Sequence, residues 1–566
     1  MNKKQKIFLA SILIVGFILH LLALKHALPV RFFGDEYIHL ANGLKMLNQK
    51  TLFLDFSYLP PLFAYLLMPF ILLFGLIGMI FGAFQGLEGF KDYVILNSES
   101  LLVFSRLIAA CFGTLSIYLV FKFAKELFGI KTAFVSAIIL TVLPIHLMES
   151  QVGRFWLPVS FFILMSAYSM YFLLKTGKLK WYIWTVLMIG LGYGMGLISV
   201  VLIPWFIFVH FLATRKYQEK FLNKKFIISS IWLIVIIGFF ILTNSYTFLR
   251  QFGRGLATIL IFFDVAIDVP QSNPRYFESN YLQVLWSELI TLWYNFYLLI
   301  IPLLYGLILL IKKKVFWKNF INYLLVIFPL VYLLGLAAVF NEIVKRYLFP
   351  IMMLLVIVAA FGIVQLASKI NFKKSILGVL ILPQIYFAAS YNYKILKTNT
   401  YILAREWIEA NIPQDSKIAS NCPHFNLNSN HEALKFQQEN NSIFFDTKSE
   451  LLINMPKEEL PSPNYFIMNL SHLKLNKITL ADFTVDYLIT CSYNKDSGME
   501  KITPEMDGVL GKYNLQLLTN IYPNKENHYN MGVTSIQNDL EKSLNFLRII
   551  ERFGPRIEIY NLIKNK

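Results

Sequence analysis

Stretches of about 20 mainly apolar residues can cross the hydrocarbon core of a bilayer, and a chain with many of them has few folds open to it. This chain offers eleven: 7–28, 101–123, 131–147, 156–175, 179–197, 198–213, 226–244, 288–311, 319–340, 346–366 and 375–392. A further segment, 61–84, is as apolar as any of them. The low charged fraction, 15% where soluble domains run near 25%, agrees with a membrane protein. The net charge of +18 would suggest nucleic acid only if it were spread over a soluble surface. It is not: residues 393–566 hold 19 basic and 20 acidic residues, so the whole excess lies among the apolar segments.

The position of that excess sets the orientation. Six short clusters, at Lys3/Lys4/Lys6, Lys122/Lys125/Lys131, Lys175/Lys178/Lys180, Arg215 to Lys225, Lys312 to Lys318 and Lys369/Lys373/Lys374, carry 21 basic residues against two acids, Glu126 and Glu219. By the positive-inside rule they belong on the cytoplasmic side. All six fall there only if 61–84 does not cross, so that segment is expected to be a re-entrant or interfacial hairpin, helped by Pro60, Pro61 and Pro69. The expected fold is an α-helical polytopic membrane protein of about eleven spans plus the re-entrant segment. Its N-terminus is cytoplasmic and its tail extracytoplasmic, in the cell membrane. The first span has no small-residue cleavage site and reads as retained rather than as a signal peptide.

Two domains follow: a transmembrane part, 1–392, with its first outer loop at 29–100, and a polar, Asn-rich part, 393–566. The second mixes a helical start, Ala404 to Ala410, with short β-like runs at Lys417 to Ser420, Val485 to Thr490, Leu515 to Ile521 and Arg556 to Leu562. A small α/β domain is expected. Three Cys exclude a disulfide framework. Cys422 and Cys491 are free to pair if their domain faces an oxidising compartment, although sequence does not show proximity.

The first outer loop carries the most chemical information. Arg31-Phe32-Phe33-Gly34-Asp35-Glu36-Tyr37 follows the first span and leads to Asp55 and Tyr58-Leu59-Pro60-Pro61-Leu62. Two adjacent carboxylates at the edge of lipid must be solvated or paired. They also suit general-base work, because one disfavours the charge of the other. The plain alternative is a solvated acidic loop that only helps topology. Gly34 permits a turn, Tyr37 to Ala41 continues as an amphipathic helix, and the Pro-Pro pair redirects the chain, so the loop reads as the roof of a cavity at the outer surface.

An Asp-Glu pair after the first span, followed by Tyr-x-Pro-Pro-Leu, resembles the GT-C glycosyltransferases, most closely the protein O-mannosyltransferase and aminoarabinose transferase group. Ser105-Arg106-Leu107 through Gly113, Lys125 to Gly129, Pro144-Ile145-His146-Leu147-Met148-Glu149-Ser150 and Arg346-Tyr347-Leu348-Phe349-Pro350 resemble further motifs of that group, in the same order. So do Ala404 to Pro413 and Gly554 to Tyr560 in the tail. One departure stands out: Gln151-Val-Gly-Arg154-Phe-Trp-Leu157-Pro158 lacks the acid often found after the second loop's glutamate.

The resemblance implies transfer of one sugar, a hexose by default, from a polyprenyl-phosphate carrier to a protein hydroxyl, glycan or lipid at the outer face. It implies Asp35 as general base with Glu36 as helper, in an inverting displacement. Arg106, Arg154, Lys345 and Arg346 are the cations expected to meet the lipid phosphate. For Arg106 the plain alternative is a structural ion pair, and for Lys345 and Arg346 it is snorkelling to the interface. Glu149 is the candidate second-loop acid. His146 and Glu149, three apart, share a helix face; with Asp35, and with Glu36 and His39 near it, they are the candidate set for a divalent metal. The outer segment 248–287, with Arg250, Arg254, Asp264, Asp268 and Arg275, reads as an amphipathic piece on the membrane. Competing functions are a polytopic transporter, for which Gly190-x-Gly192-x-Gly194-x-Gly196 is a breakable segment, and a lipid-linked polysaccharide polymerase or ligase. No nucleic-acid partner is expected.

Overall fold

The computed structural model describes the chain except residues 31–33, 55–58, 247, 250–252, 254–280, 313–322, 340–344, 370–372, 423–425, 440–446, 471–483, 493–512, 525–546, 549 and 565–566. At positions 34, 338, 339, 345, 373–377, 447 and 469 it describes the backbone alone. The expected amphipathic segment 248–287, apart from its two ends and Gly253, therefore lies outside the described residues, as do Arg31, Asp55 and Tyr58.

The chain is a helical multi-pass membrane protein with a small mixed-sheet domain near its C-terminus. Among the described residues eight helices are long and apolar enough to span: Lys3–Leu21, Leu62–Ile80, Ser98–Phe128, Trp156–Thr176, Leu197–Tyr217, Lys224–Thr243, Tyr281–Ile311 and Arg346–Lys369. The bent pair Ile130–Val142 and Pro144–Ser150 makes a ninth if counted as one. Leu179–Met195 and Tyr323–Ala337 are shorter, and Lys373–Ile395 occupies the last expected span.

Two boundaries differ from expectation. The span expected at 131–147 stops at Val142, because Pro144 has no N–H to give and holds Leu143 extended, and the chain bends by 62° into Pro144–Ser150. The segment 61–84 is not a hairpin. Leu62–Ile80 is one helix with Pro69 inside it, and the reversal comes afterwards, at residues 81–85, where Gly82 takes a positive φ.

The chain divides into two compact units. The first, residues 1–24, 35–72 and 102–389, is the helical bundle. Its helix Phe349–Lys369 is buried on nearly every face. Gly362 lets Ile300–Ile311 approach it so closely that a Cβ there would collide with the Pro302 carbonyl, the small-residue packing expected in lipid. The 3-10 turn Lys345–Leu348 leads directly into the N-terminus of the same helix.

The second unit collects residues 25–34, 73–101 and 390–566. Six strands, β1 (Lys417–Ser420), β2 (Asn428–Ser429), β3 (Asn464–Asn469), β4 (Tyr487–Ser492), β5 (Tyr513–Ile521) and β6 (Arg556–Lys564), form one sheet in the order β2-β3-β1-β4-β6-β5. β2, β3, β1 and β4 are parallel, while β6 runs antiparallel to β4 and to β5. The helix Thr400–Asn411 packs Tyr401, Ala404 and Ile408 onto Ile418, Ile489, Ile557 and Ile559 of the sheet, and Val30 joins the same core. A disulfide joins Cys422 to Cys491.

Candidate active site

The site begins with a helix that starts at the acidic pair. Gly34–Gln49 carries Asp35 and Glu36 in its first turn, where the unsatisfied N–H groups favour negative charge. Neighbouring residues on a helix point about 100° apart, so the two carboxylates face different surroundings.

Glu36 points inward and is completely buried. Arg106 from the helix Leu102–Phe128 grips it with two bonds, Nε to Oε1 at 3.0 Å and Nη2 to Oε2 at 2.9 Å. The backbone N–H of Gly153 gives a third bond to Oε1, at 2.6 Å. Arg106 Nη1 donates to the carbonyls of Ala23 and Leu24 at 3.1 and 3.2 Å. A buried charge survives when paired and hydrogen-bonded, and this pair is both. Gly153 is required by closeness, since a Cβ there would collide with Ser105. The Arg106 expectation is thereby corrected. Its guanidinium is 1% exposed and bound to Glu36 and two carbonyls, which makes it an internal clamp rather than a phosphate ligand at the surface. Glu36 is thus enclosed with Arg106, both its oxygens bonded.

Asp35 points the other way and is 41% exposed. Arg346, on the turn Lys345–Leu348, donates from Nη2 to Asp35 Oδ2 at 3.1 Å. Arg154 Nη1 stands 3.7 Å from the same oxygen. The Arg346 guanidinium also lies over the Trp156 ring, 5.7 Å from its centroid, and Trp156 packs on Tyr347 with centroids 4.7 Å apart. Cation–π and charge contacts together hold both arginines beside one carboxylate. Lys345 sits on the same turn, and its side chain lies outside the described residues.

His39, one helical turn beyond Asp35, is fully buried between Phe63 and Phe155, with centroids 4.7 and 5.7 Å away. Neither ring nitrogen has a hydrogen-bond partner among the described residues. Burial pushes its pKa down to about 4; the Asp35 charge opposes that shift and the Arg154 charge adds to it.

The proposed metal set does not assemble. His146 and Glu149 lie on Pro144–Ser150, but His146 Nε2 is 3.3 Å from the Gly113 carbonyl and its ring meets His20 edge-on. Glu149 is buried, and its Oε2 has no hydrogen-bond partner among the described residues. Among those residues no three His, Cys, Asp or Glu side chains are grouped as metal ligands. The charge beside Asp35 comes instead from two guanidinium groups.

Sequence reasoning missed three features here. One is the Gly153 N–H, whose only sign was a glycine next to Arg154. Another is the Trp156–Tyr347 pair, each member adjacent to or near an arginine of the site. The third is Glu288, fully buried in the span Tyr281–Ile311, neither oxygen hydrogen-bonded among the described residues, on a helix that packs against the turn Lys345–Leu348. A lone acid inside an apolar run was its signal.

Residues 97–243 match the family model of dolichyl-phosphate-mannose-protein mannosyltransferase. That stretch is similar to the protein mannosyltransferase family over about a quarter of the chain. The matched stretch includes Arg106, Gly153 and Arg154 and ends before Arg346. Among solved structures it is similar to ArnT from Cupriavidus metallidurans in the apo state, at 15% identity over 71% of this chain and 68% of that one, with a TM-score of 0.43. The same protein bound to undecaprenyl phosphate gives 15% identity over 70% and 68%, with a TM-score of 0.43. The archaeal oligosaccharyltransferase AglB from Archaeoglobus fulgidus, in complex with an inhibitory peptide and a dolichol-phosphate, gives 12% identity over 92% and 74%, with a TM-score of 0.44. No curated protein matches the chain.

Proposed function

We propose that the chain transfers a single sugar from a polyprenyl-phosphate donor to an acceptor hydroxyl at the outer membrane face, with Asp35 as the general base. One observation carries this reading. Of two adjacent carboxylates, Glu36 is buried and fully bonded, whereas Asp35 is open and shares its Oδ2 with Arg154 and Arg346. A base next to two planar cations is what the chemistry needs: a proton acceptor for the incoming hydroxyl and fixed positive charge for the departing phosphate. Arg346 is the more accessible of the two cations, at 19% against 2%, and is the first to meet a lipid phosphate. Attack opposite the phosphate, with one base and no protein nucleophile, gives inversion at the anomeric carbon.

The outer placement of the site and of the tail is supported by the charge of the inner clusters and by the disulfide of the tail, which suits an oxidising compartment. It is also supported inside the second unit. Val30 and Leu96, on either side of Leu62–Ile80 in the sequence, both pack against residues of the tail, which supports a reading in which the chain between them makes no net crossing. The experiment is to incubate the purified protein with radiolabelled polyprenyl-phosphate hexoses and membrane extract, then follow the label. Transfer to protein, glycan or lipid supports the reading and identifies the acceptor; donors left intact under all conditions refute it.

A further inference from the structure

We infer that Arg346 is a two-position residue that makes Asp35 available only after the donor phosphate has bound, so that the substrates add in a compulsory order, donor before acceptor. This rests on the reading of Asp35 as base and Arg346 as phosphate ligand.

The two roles collide in the structure. Asp35 Oδ2, an oxygen suited to take the acceptor's proton, is the one to which Arg346 Nη2 donates at 3.1 Å and against which Arg154 Nη1 stands at 3.7 Å. A hydroxyl arriving first competes with two guanidinium groups for that oxygen. The donor's phosphate resolves the conflict, because it carries the same kind of anionic oxygens as Asp35 and offers them as a fork to a planar guanidinium. Arg346 is the residue able to change partners. It is partly exposed and sits on a short 3-10 turn. Its guanidinium overlies Trp156, a contact along which it can slide without losing its aromatic support. Arg106 has no such freedom, being buried and bonded to Glu36 and two carbonyls.

The step then balances. The acceptor O–H bond breaks and its proton passes to the freed Asp35 Oδ2. The acceptor oxygen bonds to the anomeric carbon while the bond from that carbon to the phosphate oxygen breaks. Its electron pair leaves on the polyprenyl phosphate, still held by Arg346.

The test uses the full-length protein and undecaprenyl phosphate as probe. Infrared difference spectra on adding the probe should show one carboxylate band shifting in the wild type, and none at that position in Asp35→Asn. Because Asp35 competes with the phosphate for Arg346, Asp35→Asn should also bind the probe more tightly, about fivefold, the worth of one partly exposed ion pair. In an Arg346→Ala background the gain should vanish, whereas simple charge repulsion would leave it intact. Binding without a carboxylate band shift, or equal tightening in both backgrounds, overturns the inference and leaves the proposed function standing. Failure of the wild type to bind the probe at all overturns both, and is recognised by a flat binding isotherm.

Discussion

Arg346 and Asp35 are separated by 311 positions in the chain and joined by one 3.1 Å hydrogen bond. The late span that carries Arg346 is anchored by the Gly362 contact, and the first-turn position of Asp35 is fixed by the Glu36–Arg106 clamp beside it. The accessible half of the acidic pair is therefore held by the inaccessible half. Four predictions separate these roles.

Breaking the clamp should damage the fold before it damages chemistry. Glu36→Ala leaves the Arg106 guanidinium buried without its anion, and removing one partner of a buried pair costs about 3–5 kcal/mol. Thermal unfolding in detergent checks this. The expected result is a large drop in midpoint and in yield for Glu36→Ala and Arg106→Ala alike. An unchanged midpoint with selectively weakened donor binding in Arg106→Ala would return Arg106 to the phosphate.

Gly153 should tolerate no side chain. A Cβ would collide with Ser105 and shift the N–H that donates to Glu36 at 2.6 Å. Gly153→Ala should lower stability by about 1–3 kcal/mol, the usual cost of overpacking. Ser105→Gly in the same chain should recover part of the loss. Unfolding midpoints of the three proteins give the answer.

His39 should make the protein acid-sensitive. Its folded pKa lies near 4, below the ordinary histidine value of 6.5, so the unfolded chain binds the proton first. Above pH 6.5 the ring is neutral in both states and the effect is absent. As pH falls from 6.5 to 4 only the unfolded state gains charge and stability declines, by about 3 kcal/mol in total. His39→Leu should remove that part of the pH dependence. Equal slopes of unfolding midpoint against pH in wild type and variant would disprove it.

The spans and the acidic loop were legible because hydropathy and charge are local properties. Lys417–Ser420 was found to the residue, since β-branched and small residues bounded by turns mark a strand. The strand Asn464–Asn469 was missed, because asparagines at both ends disguise its buried Tyr465, Phe466 and Met468. Partner choice was not legible. Arg106 and Arg346 look alike in sequence, and only the packing of distant helices decides that one faces Glu36 in the interior and the other Asp35 at the surface. The bend at Pro144 was passed over by hydropathy, which ran one span through it although proline chemistry marks the break, and its consequence is that His146 turns towards the Gly113 carbonyl.

The central claim, that Asp35 takes the acceptor's proton, is tested most directly by single-turnover transfer from a radiolabelled polyprenyl-phosphate hexose by wild type and Asp35→Asn. Loss of a general base costs about 100- to 10,000-fold. A loss of at least that order is expected in Asp35→Asn, with the protein still inserted, folded and binding the donor. Transfer by Asp35→Asn at a rate near wild type would contradict it.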